Sequence, residues 1–546
     1  MQSLNYFVYF CEMKRRYIII PILLLFVLSF VDCAKRGRPS GGKKDSIPPV
    51  IVKSSPENYS INFEGDEIKI HFDEYIKLKE LSKELIISPP LKYQPLITPL
   101  STGKFIKIKI KDTLKENTTY SFNFGKSIVD NNEENAFNYY KYVFSTGDYI
   151  DSLKLKGTIK DALLLNPEAL TTVMLYEVTE TFNDSIIYKE KPTYITTTKD
   201  STQTFELTNL KEGKYLLIAL KEKTNDYIFQ PEYDKIGFAN ELITIPTDST
   251  YTISLFKETS EYYIAKPKHE GKNHIIFGYE GTPENLNIEL QSTVSPDFKE
   301  YTFHETKTDT IHYWFKPAVE NDSLVFIATT TVYQDTLVTR MRDLYADTLK
   351  IKAINAGVLT PNDTLKFSAN TPIISIDSEK ISVMNQDSTY IPIKATINKK
   401  YNIASLEFPI KDTEYYAIQV LPGAFTDFFE NTNDTIVTRV RTKELSEYAT
   451  LNITLNNLES YPVIVQLVNS KFKVVFEEYL TEINTANFEY IIPGDYYIRI
   501  IYDENKNKIW DTGNYLQKLQ PETVIYYPKV LEARPNWSLM ETFTLD

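Results

Sequence analysis

The densest run of oxygen-bearing side chains in the chain is Asp503-Glu504-Asn505-Lys506-Asn507-Lys508-Ile509-Trp510-Asp511-Thr512-Gly513. Calcium loops place oxygen ligands at alternate positions, because alternate side chains converge on one side of a tight turn. Asp503, Asn505, Asn507 and Asp511 have that spacing and are the candidate ligands of a calcium ion. Lys508 stands where such loops prefer glycine, and no Glu follows at the twelfth position, so an Asx-rich hairpin turn capped by Trp510 is the alternative. Glu222, Thr224 and Asp226 repeat the pattern in degraded form, as does the turn at Asp130-Asn131-Asn132-Glu133. Calcium is the one cofactor the sequence raises. His269 and His274 are five apart, not the four that puts two zinc ligands on one helix face, and Gly271-Lys272-Asn273 between them reads as a turn. His71, His304 and His312 fall singly in strand-like runs and read as surface or core fillers. The sequence holds no Gly-x-Ser-x-Gly elbow, phosphate-cradling glycine loop or dinucleotide fingerprint, and its carboxylates are too many for composition to single out a catalytic pair. No catalytic residue is assigned.

A second pattern is Asp followed by Ser or Thr and then an aliphatic residue. It recurs with acceptors at Ser46, Thr113, Ser152, Ser323, Thr336, Thr348, Thr364 and Thr435. The triplet is similar to the O-glycosylation signal of Bacteroidota-type periplasmic proteins, which implies those eight hydroxyls as candidate acceptors. A polar turn entering a strand yields the same triplet.

Lys14-Arg15-Arg16, an apolar block from Tyr17 to Val31, and then Asp32-Cys33-Ala34 follow the order of an export leader: basic, apolar, cleavage point. An apolar run of about fifteen residues is short for a bilayer span, which needs about twenty, so removal is expected over permanent insertion. Leu28-Ser29-Phe30-Val31 ahead of Cys33 resembles the lipobox of bacterial lipoproteins, in which the cysteine becomes the acylated N-terminus; Asp32 departs from the small residue usual there. The resemblance implies lipidation at Cys33, and acyl chains on one cysteine tether a protein to a membrane without spanning it. Ala34 in place of an acidic residue points, by the same resemblance, to the outer membrane. Met13 is the better start, which places Cys11 outside the precursor.

These features need elements to carry them, and the composition supplies strands. The 546 residues exceed one core, hydrophobic content is 42%, and Tyr 39 and Phe 30 join abundant Thr and Ile with no long helical period. An all-β fold of tandem β-sandwiches is expected. A net charge of −13 excludes nucleic acid as the natural partner and a polybasic grip on lipid. Only Cys 2 are present, one of them the proposed anchor, so no disulfide framework supports the folded part.

Along the chain, 1–33 is the leader and 34–46 a Gly/Pro/Ser/Lys spacer. In 47–148, Pro48-Pro49, the alternating Ile68-Lys69-Ile70-His71-Phe72, Asn117-Thr118-Thr119-Tyr120, the Asp130 turn and the closing Phe144-Ser145-Thr146 resemble the SbsA-type bacterial Ig-like domain, a β-sandwich without catalysis. In 153–257, Leu210-Lys211-Glu212-Gly213-Lys214-Tyr215 resembles the hairpin of prealbumin-like, carboxypeptidase-regulatory sandwiches. Gly494-Asp495-Tyr496 echoes it in 446–546, and Thr413-Glu414-Tyr415 with Phe425-Thr426-Asp427 echoes the Ig-like ending in 354–445. The segment 258–353 is expected to be a further β domain. Together these imply a lipid-anchored envelope protein with a structural, scaffolding or protein- or glycan-binding role and no catalysis. An envelope hydrolase with its catalytic unit in 258–353 is the competing class.

Overall fold

The computed structural model describes residues 45–198, 202–259, 263–281, 286–330 and 334–545. Cys33, the leader and most of the spacer lie outside the described residues. Alternation does what it should: along Glu67–Leu78, Ile68, Ile70 and Phe72 are buried while Lys69 and His71 face away. Repeated strand after strand, this gives an all-β chain of tandem sandwiches, each with its own hydrophobic core. Among the described residues no helix is long and apolar enough to cross a membrane.

The first sandwich pairs Ile51–Ser55, Glu67–Leu78, Gly103–Lys109 and Leu96–Thr98 in that order, with Ile128–Asp130 on the far half of the long strand. Its facing sheet is Ile86–Ser88, Thr119–Asn123 and Lys141–Ser145. The fourth sandwich repeats this plan. Ile351–Ala353, Leu365–Ala369, Ile403–Glu407 and Lys394–Asn398 make one sheet, Ile373–Ile376 pairs Phe425–Asp427, and Ile381–Met384, Tyr415–Val420 and Ile436–Arg441 face them.

The two also close with the same side chains. The Tyr120 hydroxyl accepts from the Lys115 amide at 2.9 Å, and that of Tyr416 from Lys411 at 2.7 Å. Thr146 and Thr442 each accept from one backbone amide and donate to one carbonyl across the same gap. Asp130, buried, accepts the amides of Asn132, Glu133 and Asn135; Asp427, fully buried, accepts those of Phe429 and Asn431 and the Thr371 hydroxyl. Each aspartate thus holds a tight turn together from inside.

The second and fifth sandwiches share a different plan. In the second, Tyr194–Thr197, Thr172–Glu177, Gly213–Lys221 and Lys235–Phe238 lie in order, with Ile243–Ile245 also on the central strand; Thr204–Leu210, Leu153–Asp161 and Thr250–Leu255 face them, the last two parallel. In the fifth the same roles fall to Val474–Leu480, Val463–Asn469, Gly494–Tyr502, Val524–Tyr526 and Leu531–Ala533, faced by Thr485–Ile491, Ala449–Asn456 and Ser538–Thr544. The Gly-x-Tyr echo has a physical basis. Tyr215 folds back over Gly213, where a Cβ would sit 3.3 Å from its ring, and donates to the Lys211 carbonyl at 3.1 Å; Tyr496 donates to Ile492 at 2.7 Å.

Between these pairs, Tyr263–Ile264, Lys268–Gly271, His274–Glu280, Thr310–Lys316 and Lys299–His304 form one sheet of the third sandwich and Asn287–Leu290, Ser323–Thr329 and Gln334–Arg340 the other. Its core is compact, around Phe277, Tyr313, Phe315 and Phe326.

The aspartate turns predict a graded response. Asp427→Ala should leave buried donors unpaired and cost roughly 3 kcal/mol, against about 1 kcal/mol for Tyr120→Phe. Urea unfolding of the full chain, read by hydrogen exchange in each sandwich, checks this; unchanged protection of the Phe429 and Asn431 amides in Asp427→Ala would refute it.

Candidate functional site: the groove between the second and fifth sandwiches

In the strand Gly213–Lys221 the residues Tyr215 to Leu220 are all buried, so both faces of this sheet are covered. One face is the sandwich core. The other, bearing Met174, Tyr176, Leu216, Ile218 and Leu220, is roofed by the short turn Asp184–Tyr188, by Phe229, by Ile86 of the first sandwich and by Tyr515 of the fifth.

Tyr515 arrives on the long loop between Gly494–Tyr502 and Val524–Tyr526. It is completely buried and sits edge-on to Phe238 at 5.4 Å. Its amide donates to Glu258 at 2.5 Å, Thr512 donates to the Lys257 carbonyl at 2.6 Å, Lys518 pairs with Asp184 at 2.7 Å, and Gln520 donates to Asn240 at 2.6 Å. Burial raises the pKa of the Glu258 carboxyl, and the Tyr515 amide opposes that rise. A second latch lies beside it. The buried Arg499 guanidinium donates to Gln466 at 2.6 Å and to the Leu163 carbonyl at 3.1 Å, and the Tyr526 hydroxyl donates to the same carbonyl at 2.7 Å.

Between loop and latch runs an open groove of about 1060 Å³. Lys160, Asp161, Asn240, Glu241, Gln520 and Glu522 supply its polar lining, with Tyr251 and Tyr526 as aromatic surfaces. The last strands of two sheets, Thr250–Leu255 and Val524–Tyr526, run along it. Asp161 is already committed to Lys235 at 2.8 Å. Burial raises the pKa of Glu522, and the nearby Asp511 and Asp503 carboxylates add to the rise while the amides of Asp511 and Glu504 oppose it. The lining offers donors, acceptors and two tyrosines. Such a lining can make hydrogen bonds and ring contacts.

Residues 45–146 match the bacterial Ig-like domain family. No curated protein sequence matches the chain. Among solved structures it is similar to the Bacillus anthracis TIE protein, at 11% identity over 93% of this chain and 76% of that one with a TM-score of 0.14. It is also similar to surface layer protein SbsC, domains 1–6, at 10% identity over 89% and 67% with a TM-score of 0.15, and to BcpA, the major pilin subunit of Bacillus cereus, at 9% identity over 72% and 99% with a TM-score of 0.13.

The proposed calcium residues do lie together, in a self-satisfied turn. Asp503 is buried and accepts the amides of Asn507 and Lys508 at 3.1 and 2.9 Å. The side-chain nitrogens of Asn505 and Asn507 both donate to Asp511, at 2.6 and 2.7 Å, while their oxygens accept the amides of Asn507 and Ile509. Trp510 caps the loop by donating to the Glu522 carbonyl at 3.1 Å. Amide nitrogens, not oxygens, therefore face Asp511, and among the described residues no three acidic, histidine or cysteine side chains are grouped to hold a metal. Of the candidate acceptors, Ser46, Thr113, Ser152, Ser323, Thr336, Thr348 and Thr435 are exposed and Thr364 is half-buried.

One expectation is corrected. His312 is no isolated filler: it is hydrogen-bonded to His274 across neighbouring strands, because the register sets the two rings diagonally on one sheet face. The groove residues and Tyr515 carried a sequence signal only in part, the unbroken apolar run Tyr215–Leu220 that demands a cover on both sides.

Tyr515→Ala should cost about 3–5 kcal/mol, because it empties a filled site in a sheet face that has no other lid there. The loss should appear as faster hydrogen exchange in Thr172–Glu177 and Gly213–Lys221 of the second sandwich, far from the substitution in sequence; exchange confined to 503–523 would show that the loop is not the lid.

Proposed function

We propose that this chain is a lipid-anchored protein of the cell envelope, held to the outer membrane through Cys33, with a scaffolding and binding role and no catalysis. The observation that carries the reading is the tandem array of sandwiches, clasped second to fifth, following directly on the leader and Cys33. Rigid arrays of this kind hold a binding surface at a set place relative to the anchor. The partner is an envelope protein or a glycan, taken up in the groove between the second and fifth sandwiches. In support, its lining is polar with two tyrosines, and the match to the bacterial Ig-like family covers the sandwich nearest the anchor. The hydrolase alternative asks for a cleft with convergent carboxylates in 258–353. The compact third sandwich, its interior filled by Phe277, Tyr313, Phe315 and Phe326, favours the scaffold. The exposed Asp-Ser/Thr-aliphatic triplets are the places where O-linked glycan is carried.

Cys33→Ser should move the protein from the membrane to the soluble fraction, since two or three acyl chains at about 0.8 kcal/mol per buried methylene are what hold it; retention in the membrane pellet would defeat the anchor. Intact mass should fall on chemical deglycosylation, and Thr336→Ala and Thr348→Ala should each remove one glycan unit. An unmodified mass in the parent protein would leave the triplets as turns.

A further inference from the structure

In the third sandwich, Ile275, Phe277, Ile311 and Tyr313 point into the core, so His274, His312 and Trp314 share the opposite face. There the His274 Nε2 and His312 Nδ1 lie 2.9 Å apart. One of these nitrogens donates and the other accepts, so the bond needs one of them unprotonated. Trp314 stacks on His274 at 3.9 Å and 5°, and Phe303 stacks on His312 at 4.7 Å and 10°. The outer two rings of this layer, Phe303 and Trp314, meet the fourth sandwich, and the histidine pair lies stacked against them. Phe428 and Phe429 cluster with Phe303 and Trp314, Trp314 meets Phe429 at 5.9 Å, Lys316 pairs with Glu430 at 3.0 Å, and the His304 amide donates to the Lys400 carbonyl at 2.7 Å. Trp314 is buried, and among the described residues its indole nitrogen has no hydrogen-bond partner, so the rings are held there by packing.

We propose that the His274–His312 pair is a pH-sensitive fastening of the joint between the third and fourth sandwiches, closed while one proton is shared between the rings and released on acidification. The charged groups around it define how. Asp347 lies 4.0 Å from the outer nitrogen of His274, and Glu305 lies 3.6 Å from that of His312. Lys350 acts on Asp347, Glu270 on both Asp347 and His312, His269 with its neighbour Arg342 on the His274 side, and Lys400 on His304. A first extra proton goes to an outer nitrogen beside a carboxylate. The next puts two N–H groups face to face at 2.9 Å, and the central bond is lost.

Burial holds both rings below the ordinary histidine range, His274 at about 3 with His312 and His269 adding to the drop, and His312 lowered although Glu305 opposes it. The closed joint therefore binds fewer protons than the open one. Its stability is fully present above the ordinary histidine pKa of about 6.5 and drains away as pH falls towards the closed-state values. The closing constant should drop by up to about tenfold per pH unit for each histidine, which makes it about thirtyfold weaker at pH 5 than at pH 7.5 where one ring is coupled to closure and up to several hundredfold where both are.

The test is small-angle scattering together with acrylamide quenching of tryptophan fluorescence on the full chain at pH 7.5 and 5. The parent protein should expand and gain quenching at pH 5, and Trp314→Phe should lose the pH-dependent part of the quenching. The double variant His274→Gln, His312→Gln keeps hydrogen-bonding groups without the charge and should stay closed at both pH values. If that variant is unstable, His312→Asn alone should flatten the pH response. An unchanged parent protein, or a glutamine variant that opens as the parent does, overturns the proposal.

Discussion

The arrangement of this chain depends on the outward face of one sheet. Thr172–Glu177 and Gly213–Lys221 are apolar on both sides, and a sheet with two apolar faces cannot end in water. Part of the second face is closed from nearby in sequence, by Asp184–Tyr188 and Phe229. The rest is closed by Ile86 from before it and by Tyr515 from about three hundred residues after it. Covering that face brings the fifth sandwich back onto the second, and the sandwiches between them must bridge the return.

The cover is more than a hydrophobic contact. Tyr515 is led in by its own amide on Glu258 and held by Thr512, Lys518 and Gln520, so the loop's polar groups are satisfied as its ring is buried. Arg499 adds a charged donor that ends on neutral acceptors, Gln466 and the Leu163 carbonyl. A buried guanidinium is costly unless several acceptors converge on it; Gln466 and Tyr526 come from its own sandwich, and the Leu163 carbonyl joins them only when the two sandwiches meet. The groove is a by-product of that meeting.

The first and fourth sandwiches rely on hydrogen-bonded turns where small extracellular domains often use disulfides. Asp130 and Asp427 each gather several donors in the same place of the same plan, and Tyr120 and Tyr416 tie the same corner. The fourth sandwich differs from the first in its apolar residues, yet both carry these polar closures. A core tolerates volume-conserving exchange, whereas a buried donor tolerates no missing acceptor.

What the sequence determined by itself was local and periodic. Period-two alternation in stretches such as Ile68–Phe72 settled the all-β class, Gly213-Lys214-Tyr215 and Gly494-Asp495-Tyr496 marked two copies of one hairpin, and Asp130 and Asp427 marked two copies of one turn. These depend on neighbours a few residues apart, so their physics is written in spacing. The alternate oxygens of Asp503 to Asp511 were legible as a turn, while the direction each side-chain amide faces was not, because that is set by how the loop closes on Asp511 and on its own backbone amides. Tertiary structure alone decided that Tyr515 roofs the second sandwich, that Arg499 reaches Leu163, and that His274 and His312 share a proton. Each of those depends on strand register or on contacts hundreds of residues apart, and a side chain's spacing along the chain carries no information about which distant face will desolvate it.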